Sequence, residues 1–395
     1  MTQQTAEGGA TERAPHTGTR NAELSDLLAV LADQRGRKLD MVASASNLTA
    51  QGGNLVVSGV DPVVSADGVT IVDGAYRPTT VADEGIAAKL GIPAGYLRRM
   101  RAELPDLYDL NVSAWLEAAP DRTFMVRAFK GEEGPDRNPG AGVARAFLSP
   151  SYKQIDHEDI LAATLQGVQD AGHPVRITGC DLTDRRMIVR VESEAVEVRA
   201  RELLRGYRSP FTGQSGEELP MVSAGFVITN SEVGAGAYTL TPRAVVRVCE
   251  NGLTMSQDVM RSVHLGGRHE EGVVRWSDAT QQKILEVITS KTADAVRQFL
   301  NPEYVETKLR EIERDAGREI KDPQKTVEVV TKGLGMAEQV RQEIFAHFIK
   351  GGQTTAGGVM QAVTSVAQTI PDADAAHDLE TQALPALRAA AAHAS

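Results

Sequence analysis

Leu24, Leu27, Leu28 and Leu31 stand at the spacing of one helical face, which predicts a helix over Asn21–Gln34. Apolar and polar residues then alternate. Asn54–Val60 and Val69–Tyr76 read as strands around turns at Asp61-Pro62 and Asp67-Gly68, and Thr80–Glu103 returns to a helical period. Strand alternation reappears at Thr123–Phe129 and Val143–Leu148, separated by a polar Gly/Pro-rich connection over Gly131–Gly142. Ile160, Leu161, Leu165 and Val168 predict a helix over 157–171, with Asp156 and Asp159 placed to cap its first turn. Further strands are expected at Val175–Thr178, Met187–Glu192, Met221–Thr229, Tyr238–Thr241 and Arg243–Cys249. After Trp276 the period becomes helical. Ile284, Ile288 and Phe299 mark one helix, Pro302 and Pro323 start two more, Val340, Ile344 and Phe348 run to the Gly351-Gly352 stop, and Val359, Val363, Val366 and Ile370 line a last one.

This order predicts an α+β protein. Residues 1–20 form a disordered tail, 21–119 an N-terminal α/β element, 120–276 a domain built on a curved, mostly antiparallel central sheet with flanking helices, and 277–395 an all-helical region. A chain of 395 residues has ample material for such a core. Its 53 acidic against 42 basic residues disfavour a general DNA-coating role, which needs a positive field over the whole surface. Cys180 and Cys249 are too few for a disulfide scaffold or a zinc site, which fits a reducing cytoplasm. No apolar run reaches transmembrane length, so no membrane partner is expected.

The segment Asn230-Ser-Glu-Val-Gly234, followed by Arg247-Val-Cys-Glu-Asn-Gly252, resembles the central signature of the domain of unknown function 932 family. Arg145–His157, Ser262–Gly266 and Thr354–Thr364 are similar to further parts of that family, so the likeness spans roughly residues 75 to 385. What the resemblance implies is phage, prophage or plasmid ancestry in a bacterium, with no assigned reaction.

Several chemistries lack their residues. There is no Gly-x-x-x-x-Gly-Lys-Ser/Thr phosphate loop, and Gly234-Ala-Gly236 lacks the third glycine of a dinucleotide loop. Gly213-Gln-Ser215-Gly216 lacks nucleophile-elbow spacing and reads as a turn. His157 among Asp156, Glu158 and Asp159 has metal-competent groups, but adjacent residues point different ways and helix capping accounts for them. Cys249 and His264 are chemically able to form a nucleophile pair, yet a strand cysteine is ordinarily a small core residue. No metal or cofactor is expected. Val81–Met100, broken at Gly91 and ending in Arg98, Arg99 and Arg101, has the outline of a helix-turn-helix or of a packed helix pair.

Strand alternation adds one positive pattern. Arg127 and Phe129 share a face, as do Arg145 and Phe147; Arg190 sits likewise on its strand, and Arg243 and Arg247 on theirs. If those faces coincide, arginines interleave with phenylalanines on one side of a sheet, a surface suited to phosphates and stacked bases. The expected function is non-enzymatic binding of single-stranded nucleic acid in phage or plasmid DNA replication or recombination. The alternative is a protein-interaction or host-takeover module whose C-terminal helices dock partners or copies of the chain. An enzyme ranks third.

Overall fold

Short strands and amphipathic helices alternate along the N-terminal third of the protein. The computed structural model describes residues 18–65, 68–131, 141–152, 155–218, 220–247, 251–255, 259–262 and 278–394. The chain opens with β1 (Thr19–Ala22), α1 (Leu24–Arg37), β2 (Lys38–Ser44), β3 (Leu48–Gln51), β4 (Asn54–Val57), β5 (Val63–Ser65), β6 (Gly68–Thr70) and β7 (Gly74–Pro78). Three helices follow: α2 (Thr80–Leu90), α3 (Ala94–Glu103) and α4 (Pro105–Glu117). Then come β8 (Thr123–Phe129), β9 (Gly142–Leu148), α5 (His157–Ala171), β10 (Val175–Leu182), β11 (Met187–Arg199), α6 (Arg201–Leu204), β12 (Met221–Asn230), β13 (Tyr238–Val246), β14 (Asn251–Thr254) and β15 (Met260–Ser262). The rest is helical: α7 (Asp278–Phe299), α8 (Pro302–Ala316), α9 (Pro323–Gly333), α10 (Glu338–Gly351), α11 (Ala356–Thr369), α12 (Ala373–Thr381) and α13 (Ala383–His393).

The fold is α+β, as the pattern predicts, but the strands form two large sheets rather than one. A seven-stranded antiparallel sheet has the order β1-β10-β11-β12-β13-β14, with β15 also on β13. A six-stranded sheet has the order β2-β8-β9-β7-β4-β3, and its β7–β9 pair is parallel. The boundary expected at 119/120 therefore falls inside the six-stranded sheet, because β8 and β9 pair with β2 and β7. Thr19 and Arg20, expected in the disordered tail, are edge-strand residues paired to β10. The second hairpin strand, expected to run to Cys249, ends at Val246, and Asn251-Gly252 opens β14 with Asn251 opposite Val246.

Each sheet has its own core. Leu39, Leu55, Phe124 and Phe147 pack with Ile86, Leu97 and Tyr108 of α2–α4. Val189, Val191, Phe226, Ile228 and Leu240 pack into a larger core that takes in α5, α7 and the C-terminal helices. Period explains the latter: Val305, Leu309, Ile312 and Ala316 bury one stripe of α8, while α11 is buried along nearly all its length. Asn301 accepts from the Glu303 and Tyr304 amides and Asp322 from that of Lys325, with Pro302 and Pro323 at the first helical positions. The buried faces of these helices thus pack into the chain's own core.

Candidate functional site

The structure divides the predicted platform between the two sheets. Arg127, Phe129, Arg145 and Phe147 lie on β8 and β9 and are all buried, so they present no surface to a strand of nucleic acid. Phe147 stacks on Phe124 at 4.5 Å between ring centres, and Arg145 lies over the Phe129 ring at 4.3 Å. Arg190, Arg243 and Arg247 do come together, on one face of the seven-stranded sheet. Arg190 and Glu192 follow one another on that face of β11, Glu192 pairs with Gly225, and Gly225 pairs with Arg243.

The β8 and β9 arginines belong to a joint between the sheets. Arg127 is 0% exposed and faces Asp40 across the β2–β8 ladder. Its Nε and Nη2 donate to Asp40 at 2.7 and 3.0 Å, Nη2 also donates to Asp156 at 2.9 Å, and Nη1 donates to the Glu232 carbonyl at 2.7 Å. The Glu232 carboxylate, in the β12–β13 connection, accepts from Lys38 Nζ at 2.7 Å, Arg145 Nη2 at 2.6 Å and the His157 amide at 2.6 Å. Burial opposes its ionisation, but His157, Arg145, Lys38 and Arg127 together hold the carboxyl well below the usual carboxylate range. Glu232, not Asp156, therefore meets the first amide of α5, and the Asp156 side chain makes no cap bond there. His157 is buried, with Nδ1 3.0 Å from Asn230 Nδ2, and burial pushes its pKa down to about 4. Gly234 adopts the left-handed conformation at φ 80°, where a Cβ would press on Leu148 of the other sheet, so this glycine turn faces the joint rather than a ligand.

The other group opens into a cleft of about 410 Å³ lined by Arg20, Arg176, Arg190, Arg243 and Arg247, with Ala367, Gln368, Ala376 and Glu380 of α11 and α12 opposite. Arg190 Nη2 lies 2.7 Å from Asp181, and Arg20 Nη1 lies 2.9 Å from the same carboxylate. Arg243 Nε lies 2.9 Å from Glu380, which also accepts from Thr254 Oγ1 at 2.7 Å. Burial works against the Glu380 charge, and Arg243 outweighs it, so the carboxyl stays below its ordinary range. Arg247 Nη1 reaches Glu192 at 3.0 Å, and its Nε reaches Glu197 at 3.3 Å. Arg176 Nη2 lies 3.6 Å from Glu192. Side-chain exposure separates a floor from a rim: Arg243 is 8% and Arg190 10% exposed, against 42% for Arg247 and 58% for Arg176.

Two local devices shape the cleft. A Cβ on Gly252 would fall inside the Arg243 guanidinium, so the residue opposite Val245 must be glycine for Arg243 to lie flat on β14. Asn21 is left-handed at φ 49°, a conformation asparagine tolerates, and its amide donates to Asp181 at 2.5 Å while its side chain accepts from Arg20 at 2.9 Å. Pattern reading missed Arg20, Arg176, Asp181 and Glu380. Glu380 is one of three acids in α12, with Asp374 and Asp378, and nothing in the sequence pattern singles it out.

The remaining candidates resolve simply. Arg98 pairs with Glu84, Arg99 with Glu103 and Arg101 with buried Asp83, so the helix-turn-helix outline is a packed helix pair whose arginines have partners. An apolar groove of about 430 Å³ between α3 and α4 is lined by Tyr96, Met100, Leu107, Leu110 and Trp115. Among the described residues no cluster of His, Cys, Asp and Glu is arranged to hold a metal ion, and none of their helices is long and apolar enough to cross a membrane. Cys249 and His264 lie outside the described residues. No protein-family model, curated protein or solved structure matches the chain.

Proposed function

We propose that this is a binding protein for single-stranded nucleic acid that uses the arginine cleft, and not a platform of interleaved phenylalanines, to hold phosphates. The observation that carries the reading is the convergence of five arginines from β1, β10, β11 and the β13 end in one open cleft. Guanidinium forks match phosphate oxygens in pairs. Among the described residues no aromatic side chain lines the cleft, so bases contribute little. A chain of net charge −11 repels a polyanion elsewhere and confines contact to this patch. The resemblance of Asn230–Gly234 and Arg247–Gly252 to the domain of unknown function 932 family supplies the context, phage or plasmid DNA replication or recombination.

Fluorescence anisotropy of labelled single strands over a salt series tests the reading. Binding at low salt is expected to weaken with a log–log slope of about −1.4, from roughly −0.7 per phosphate contact and the two rim arginines. Folded protein that binds no strand at low salt rejects it. The protein-interaction alternative is favoured by one observation, the α3–α4 groove, where Leu110 is 68% and Trp115 52% exposed. Light scattering over a concentration series decides it for self-association: a concentration-dependent mass that Leu110→Lys abolishes supports the groove, and a constant monomer mass removes it.

A further inference from the structure

Resting on the arginine-cleft reading, we infer that the cleft recognises a phosphomonoester, the dianionic terminal phosphate of a strand or nucleotide, rather than the diester backbone of a strand passing through. The first argument is shape. The cleft has walls on two sides, the sheet face and the α11–α12 segment, and the two are tied together around it. Arg20 Nη2 donates to the Ile370 carbonyl at 3.3 Å, Arg243 binds Glu380, and Thr254 donates to the same carboxylate. About 410 Å³ lies near the lower end of the size of small-molecule pockets and equals roughly a dozen waters. That is room for one nucleotide-sized group, whereas a groove that tracks a strand accommodates about four or more nucleotides. A strand fits such a pocket by its end.

Charge gives the second argument. Among the described residues, five arginines face four carboxylates, Asp181, Glu192, Glu197 and Glu380, an excess of one positive charge. Glu192 serves Arg176 and Arg247 together, and any ligand must compete with this carboxylate for the two rim guanidiniums. An internal phosphodiester carries one negative charge and only equals Glu192. A phosphomonoester carries about −1.5 to −2 at neutral pH and three acceptor oxygens, which lets it displace Glu192 and engage both forks. The floor adds donors: among the described residues Arg243 contacts protein groups through Nε and Nη2 and Arg190 through Nη1 and Nη2, which leaves Arg243 Nη1 and Arg190 Nε to a ligand.

The test uses the full chain and two 12-nucleotide single strands of one sequence, with a 5′-phosphate or a 5′-hydroxyl, and adenosine monophosphate as competitor. The 5′-phosphorylated strand is expected to bind at least ten-fold tighter, with adenosine monophosphate displacing it. Arg176→Ala, at the exposed rim, is expected to erase most of that preference without shifting the melting temperature. Arg190→Gln is expected to do the same if folded. Binding of adenosine monophosphate without any strand binding supports the phosphomonoester and rejects the strand reading. Equal affinity for the two strands overturns the inference and leaves the strand reading standing; no binding of either strand or of the nucleotide overturns both.

Discussion

The joint and the cleft are made of the same materials and differ in what surrounds them. At the joint, Lys38, Arg127 and Arg145 meet Asp40, Asp156 and Glu232, three cations against three carboxylates, with Arg127 and Glu232 wholly out of water. In the cleft, among the described residues, five arginines stand against four carboxylates and the rim stays wet. A buried charge must be matched because desolvation is so costly, and a matched network has nothing left to offer a ligand. A partly exposed, unbalanced one can trade a carboxylate for a phosphate at small cost. The stretch from β12 to β14 contributes to both: Asn230 and Glu232 to the joint, Arg247 and Gly252 to the cleft.

The largest expected effect separates the two. Glu232→Gln leaves Lys38 and Arg145 buried without their shared anion, and should lower unfolding free energy by about 3–5 kcal/mol in urea titrations. An unchanged midpoint would show that the joint does not hold the sheets. Next comes pH. The folded His157 pKa is about 4 against an ordinary value of 6.5, so between those values the unfolded chain takes up a proton that the folded chain refuses. Stability is full above pH 6.5 and falls as pH drops toward 4, by about 3 kcal/mol for this group. Glu232, also depressed, loses its share as pH falls through its own lower value. His157→Gln should flatten the upper part of the curve; an equally steep wild-type-like slope would assign it to other groups. The smallest effect on stability belongs to the cleft: Arg247→Ala should cost less than about 1 kcal/mol while weakening strand binding several-fold. A large drop in melting temperature would make the cleft a second joint.

How much of this was legible follows from what alternation encodes. It states which residues of one strand share a face, and Arg190, Arg243 and Arg247 were grouped correctly on that basis. It does not state which sheet a strand joins, so Arg127 and Arg145 were placed beside them although β8 and β9 pair with β2 and β7. Asp156 at a helix start reads as a cap, and only the fold reveals that Glu232, 75 residues away, takes the amide. Arg20 follows a polar run and its strand is four residues long, too short for a periodic signal. The helical region was legible because Val305, Leu309 and Ile312 carry their period locally, whereas the partnership of Arg243 with Glu380 spans 137 residues.

That span has a consequence for synthesis. The cleft is bounded by Arg20 near one end of the chain and by Ile370 and Glu380 near the other, with Arg186 holding α12 at Asp374 and Asp378. Chains leave the ribosome from the N-terminus at about 5–20 residues per second, and local units fold as they emerge. The six-stranded sheet is complete once β9 is out, while the arginine face, complete at Arg247, waits for its far wall until Glu380 of α12 is made roughly seven to thirty seconds later. During that interval Arg243 has no Glu380, and the arginine face is at its most open and most attractive to any nearby polyanion. Docking of α12 is thus the step that bounds the cleft, so a helix made late walls in arginines made long before it.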